Sequence, residues 1–117
     1  MLMPRSTPPD VADLLPLPPA VFHILVSLAA RDAHGYAIMQ EVAERAGVRL
    51  GPGTLYTTMR RLLEDGLVAE RRSTPGDDKD DPRRRYYRLT AFGRAAARAE
   101  AARLNELVRQ ARSLGLA

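Results

Sequence analysis

Between Gly51 and Leu89 the chain gathers the side chains best suited to hold a polyanion. Thr54, Tyr56, Thr57, Arg60 and Arg61 lie close together, and Arg83, Arg84 and Arg85 stand directly before Tyr86-Tyr87-Arg88. Guanidinium groups pair with phosphates and, bidentately, with guanine edges, while hydroxyls donate to phosphate oxygens. No comparable set points to catalysis. The chain has no cysteine, which removes disulfides, thiol nucleophiles and cysteine-based zinc sites. His23 and His34 form no metal-ligand spacing with carboxylates. Ser6, Ser27, Ser73 and Ser113 lack the setting of a nucleophile elbow. Gly51-Pro52-Gly53 is not followed by the Gly-Lys-Ser/Thr of a phosphate loop. The expectation is no catalytic residue, no metal, no cofactor and no enzyme activity.

These residues need a platform, and the apolar spacing supplies one. A helix is expected from Pro52 to about Asp65, just before Gly66. Leu55, Met59, Leu62 and Leu63 then gather within about 100° of arc as a core face. Gly53, Thr54, Thr57, Arg60, Arg61 and Glu64 fall on the opposite face, with Tyr56 at the border. Small residues at Gly53 and Thr54 allow close approach, and first-turn amides can meet phosphate. Two strands follow, about 67–72 and 84–89, with Arg71 and Arg72 on the first. The loop between them is polar and carries Asp77, Asp78, Asp80 and Asp81. Alternation puts Arg84, Tyr86 and Arg88 on one face and Arg85, Tyr87 and Leu89 on the other.

The flanking sequence completes the domain. Six of the nine prolines fall in residues 1–19, so 1–18 is expected to be an extended tail whose Leu14, Leu15 and Leu17 could dock on the body. A buried helix is expected over 20–30, with Phe22, Ile24, Leu25 and Leu28 on its apolar face. Arg31-Asp32-Ala33-His34 reads as a break, with His34 a turn or cap residue and His23 packed. A second helix covers 35–46 with Ile38, Met39 and Val42 inward, and Gly47 ends it. Val48-Arg49-Leu50 is expected to be a short strand. Thr90 caps a last helix over about 91–114. Leu104, Leu107, Ala111 and Leu114 repeat there at helical spacing, as do Ala97, Ala101, Leu104 and Val108. That stripe is longer than one small domain can cover, so a partner subunit is its expected cover.

The fold class expected is mainly α with a small β-hairpin wing. It divides into a Pro-rich tail (1–18), a winged helix-turn-helix domain (19–90) and a C-terminal dimerisation helix (91–117). The formal charge of +4 is uneven: −1 over residues 1–50, +2 over 51–90 and +3 over 91–117. A basic balance favours polyanionic partners. Of the 18 basic residues only Lys79 is lysine, a ratio that genome composition alone can produce, so position on the fold must decide. No apolar run reaches the roughly 18 residues of a membrane span, and no signal-peptide pattern opens the chain, so no membrane and a cytoplasmic setting are expected.

The chain resembles the PadR family of bacterial transcriptional regulators. The resemblance rests on His34-Gly35-Tyr36, Gly51-Pro52-Gly53-Thr54-Leu55-Tyr56, Arg61-Leu62-Leu63-Glu64-Asp65-Gly66-Leu67-Val68 and Arg84-Arg85-Tyr86-Tyr87-Arg88-Leu89-Thr90 before Gly93-Arg94. It covers roughly residues 19–114 and is nearest the small subgroup with a single C-terminal helix. It implies a homodimer, a palindromic operator in double-stranded DNA, repression, and release by a small-molecule effector or another signal. The DNA-binding residues would be Gly53, Thr54, Tyr56, Thr57, Arg60, Arg61, Arg83, Arg84 and Arg85. Phe22, Leu104, Leu107, Val108, Ala111 and Leu114 would form the dimer interface. The sequence departs from the family where Gly51 replaces a frequent serine and Thr57 a frequent proline. Some relatives sandwich flat aromatic compounds between tryptophans. This chain has no tryptophan, and only Phe22 and Phe92 are candidate interface aromatics.

Overall fold

A computed structural model of the chain describes residues 10–74 and 85–117. Eight elements follow in order: α1 (Val11–Leu14), α2 (Pro19–Ala30), β1 (Ala33–His34), α3 (Gly35–Ala46), α4 (Pro52–Glu64), β2 (Val68–Arg71), β3 (Tyr86–Leu89) and α5 (Ala91–Ser113). The three strands form an antiparallel sheet in the order β1-β3-β2.

Apolar spacing determines which face of each helix is buried. α2 buries Ile24, Leu25 and Leu28, α3 buries Ile38 and Val42, and α4 buries Leu55, Met59 and Leu62. These side chains meet Leu67, Val68, Tyr87 and Ala96 in one core. Burying a side chain such as Leu or Ile contributes about 1.5–3 kcal/mol each. The helix ends follow local chemistry. His34 Nδ1 accepts the Ala37 amide at 3.2 Å and caps α3, and Gly47 closes that helix in the left-handed conformation. Thr90 Oγ1 accepts the Gly93 amide at 2.9 Å and caps α5.

Three local expectations are corrected. Val48-Arg49-Leu50 is not a strand: it links α3 to α4, with Val48 and Leu50 half-buried against the core and Arg49 exposed. Ala33-His34, read as a break, is instead the short strand β1, paired with Tyr87 and Tyr86. The segment before α2 is not extended throughout. It makes one helical turn, α1, and Leu17 is buried in the core, with Leu14 and Leu15 packed beside it. Apolar burial there outweighs the proline-rich composition.

The Leu17 amide donates to Glu100 Oε1 at 3.1 Å, tying this segment to α5. Glu100 is only 3 % exposed and is held by Arg103 through 2.9 and 2.7 Å contacts. The Arg103 guanidinium, with the Leu17 amide adding to it, holds the Glu100 carboxyl below the usual carboxylate range.

Candidate nucleic-acid interface

α4 presents the face that the sequence predicts. Gly53, Thr54, Tyr56, Thr57, Arg60, Arg61 and Glu64 are exposed along it, opposite the buried Leu55, Met59 and Leu62. Gly51 offers no side chain to cap the helix, and Pro52 fills the first position without an amide to satisfy. The small Gly53 and Thr54 leave the backbone of that first turn open to a partner. Arg61 is 76 % exposed, and its Nε lies 3.8 Å from Asp65 Oδ2, a loose contact that restrains it little.

The wing base stands beside this helix. β2 and β3 pair Glu70 with Tyr87 and Arg71 with Tyr86. Arg85 is exposed, with Nη1 3.5 Å from Glu70 Oε2. Arg83 and Arg84 lie outside the described residues, as does the acidic cluster Asp77, Asp78, Asp80 and Asp81. Arg71 is a structural anchor: its Nε donates to Asp32 Oδ2 at 2.7 Å, and its guanidinium lies 4.8 Å over the Tyr86 ring.

The expected alternation along β3 holds only in part. Tyr86 and Tyr87 are both buried, while Arg88 is exposed. β3 is the central strand, and Tyr86 on its second face is covered by the His34 ring, edge-on at 5.4 Å, and by Arg71.

Sequence reasoning missed one part of this surface. Tyr36, 54 % exposed at the start of α3, lines an open cavity of about 300 Å³ together with His34, Gly35, Tyr56, Arg85 and Tyr87. Tyr56, 48 % exposed, reaches from α4 across Gly35. Gln40 Nε2 donates to the Tyr36 hydroxyl at 3.4 Å. Burial, reinforced by Glu70, pushes the Tyr87 phenol above its ordinary value. His34-Gly35-Tyr36 was the available signal, but nothing in its spacing tied it to α4.

The expected dimer residues lie on and beside α5. Leu107, Val108 and Leu114 are exposed, Leu114 by 74 %, and Leu104 and Ala111 are half-buried. Phe22 lines a shallow groove with Val26, Ala29, Leu89, Ala97 and Ala101 between α2 and α5.

A three-helix unit with its third helix bare on one side, followed by a strand pair, defines a winged-helix protein of the DNA-binding class. Comparison with known proteins narrows the class. Residues 24–99 match the transcriptional regulator PadR-like family, and the chain belongs to that family. A transcriptional regulator of Mycobacterium tuberculosis is 44% identical over 89 residues, spanning 75% of this chain and 78% of that one. A PadR-like transcription factor structure from Bacteroides fragilis superposes with a TM-score of 0.68 at 25% identity, over 81% of this chain and 88% of the other. F93 from STIV, a winged-helix DNA-binding protein, shares the fold at a TM-score of 0.65 and 18% identity, over 76% of this chain and 90% of that one. The family is one of transcriptional regulators, not enzymes. Among the described residues no helix is long and apolar enough to cross a membrane.

Proposed function

We propose that this chain is a homodimeric, sequence-specific DNA-binding repressor, with α4 in the major groove and the wing on the backbone. The observation that carries it is the exposed polar face of α4, flanked on the same side of the molecule by Tyr36 and by Arg85 at the wing base. Thr57, Arg60 and Arg61 read base edges, and Arg61 is the strongest candidate for a guanine. Gly53, Thr54 and Tyr56 set the helix on the backbone. Arg85, with Arg83 and Arg84 before it in sequence, steadies the wing on phosphates.

The dimer joins two copies through the α5 face of Leu104, Leu107, Val108, Ala111 and Leu114, with Phe22 beside it. Exposed leucines on a helix that extends past the body support this cover. Two recognition helices related by a two-fold axis then meet half-sites about one turn of DNA apart, roughly 34 Å. Repression, and its release by a small-molecule effector or another signal, rest on the family resemblance.

The test is selection of bound sequences from a random DNA pool with the purified protein, at moderate and then higher salt. The expected result is a palindrome that survives the higher salt. Unrelated sequences lost as salt rises would refute specific readout and leave only charge attraction.

A further inference from the structure

The cavity between α3, α4 and the wing base has a composition that groove-reading alone does not require. Its walls are His34, Gly35, Tyr36, Tyr56, Arg85 and Tyr87, drawn from the end of β1, the start of α3, the first turns of α4, and β3 with the residue before it. One cationic group and three phenols therefore converge from separate elements. A single guanidinium with phenolic donors suits an oxyanion carrying one negative charge. A phosphodiester has that charge; a phosphate monoester at neutral pH approaches two.

The donors are prepared for such a ligand. The Tyr36 hydroxyl accepts from Gln40 Nε2 at 3.4 Å, so its own hydrogen can point away from α3. Among the described residues Arg85 pairs with Glu70, at 3.5 Å, and both side chains are exposed. An exposed pair of this kind is worth little and exchanges readily for a better anion. Gly35 makes the arrangement sterically possible: a Cβ there would fall 2.6 Å from the Tyr56 hydroxyl and 2.9 Å from its ring carbon Cζ.

The geometry points to a seat for one backbone phosphodiester of the operator, formed by Arg85 with the Tyr36 and Tyr56 hydroxyls. This rests on the DNA-binding reading and deepens it. α4 is then positioned by a phosphate held at the junction of three elements. Tyr36, on a helix that does not itself enter the groove, becomes a determinant of the register in which α4 meets the bases.

The experiment uses the full chain and operator duplexes selected by it. Each duplex carries a single neutral methylphosphonate, stepped along each half-site. Wild-type protein is expected to lose roughly tenfold or more in affinity at one position per half-site, the size of a lost charge-assisted contact. The variant Tyr36→Phe/Arg85→Gln should bind the unmodified operator more weakly, yet show no further loss at that position. Both side chains are exposed, so its melting temperature should match wild type, which separates a contact from a folding defect. Unchanged sensitivity of the variant at every position would overturn the seat while leaving DNA binding intact. Tight binding of inorganic phosphate, displacing DNA from the wild type but not from the variant, would also overturn it in favour of a free-anion site. Failure of the wild type to select any DNA would instead remove the functional reading on which the seat depends.

Discussion

Gly93 in α5 lies directly against the Leu67 carbonyl: a Cβ at position 93 would run into that oxygen, with the Leu89 side chain 2.8 Å away. The same carbonyl accepts the Thr90 amide at 3.2 Å and lies 3.0 Å from the Thr90 hydroxyl, which donates to the neighbouring Gly66 carbonyl at 2.7 Å. Here the start of the wing, the α5 cap and the α5 backbone are packed together, and the obstacle is main chain with nowhere to move. Alanine inside a helix normally gains about 1 kcal/mol over glycine. Gly93→Ala is expected to reverse that sign and destabilise by about 1–3 kcal/mol or more through overpacking. Urea unfolding at unchanged m-value measures it. A neutral or stabilising result would show that β2 and α5 can part without cost.

Glu100 predicts a pH dependence. Its folded pKa is lowered, first by Arg103 and then by the Leu17 amide. A carboxylate lowered in the folded state contributes its full stabilisation above the unfolded pKa. The contribution is lost as pH falls through the ordinary carboxylate range toward the lower folded value. Glu100→Gln keeps an acceptor for Leu17 but loses the ion pair. It should cost about 1–2 kcal/mol at pH 7, a value reduced because Arg103 is partly exposed. The gap between wild-type and variant melting temperatures should narrow below about pH 4. A gap constant from pH 7 to pH 3 would contradict the assignment. Glu41 and Glu106, lowered by Arg45 and Arg109, are on the surface and should give smaller effects.

Periodicity made the helices legible. The faces of α2, α3 and α4 repeat over three or more turns, and the caps at His34, Gly47 and Thr90 are local chemistry. What escaped was non-local. β1 has two residues, too few to show an alternation. Tyr86 and Tyr87 are both buried because β3 lies between two strands, whereas alternation presumes one wet face. Arg71 read as part of a basic strand, yet Asp32, 39 residues away, holds it in place. Tyr36 and Tyr56 line one cavity because the Tyr56 ring reaches from α4 to Gly35 at the start of α3, a contact that no spacing in the sequence encodes.

Gly35→Ala gives a different outcome from Gly93→Ala, although both are close contacts. At Gly35 the obstructing atoms are the far end of the exposed Tyr56 ring. That ring can swing aside, so stability should change by less than about 1 kcal/mol. The displaced hydroxyl should still weaken DNA binding severalfold, in a manner not additive with Tyr56→Phe. Additive losses from the two changes would show that Gly35 acts independently of Tyr56.

Arg61 and Arg85 should separate base reading from backbone grip. Arg61→Ala is expected to weaken operator binding by about 1–3 kcal/mol while leaving random DNA nearly unaffected. Arg85→Ala should weaken both alike and lower the salt slope by about 1. Fluorescence anisotropy on operator and scrambled duplexes across a salt series distinguishes them. Equal loss on both duplexes for Arg61→Ala would refute its role in specificity.

The α5 face tests the dimer. Leu107 on α5 and Leu114 at its C-cap are exposed, and in this helix of 23 residues, about 35 Å long, the buried positions Gly93, Ala96 and Glu100 all lie in the first half. The second half therefore adds apolar surface that the body does not cover, and burial against a second copy would remove it from water. Leu107→Glu/Leu114→Glu would place four carboxylates in the proposed two-fold interface, two from each copy. The desolvation and repulsion of those charges should convert the protein to monomers at micromolar concentration. The fold itself should survive, because neither side chain enters the core. Sedimentation equilibrium reads the mass, and circular dichroism checks the helix content. Monomers should also fill the two halves of a palindrome independently, without the avidity that linked half-site binding gives the dimer. A dimer persisting in the double variant would place the two-fold contact elsewhere, with the groove around Phe22 between α2 and α5 as the next surface to probe.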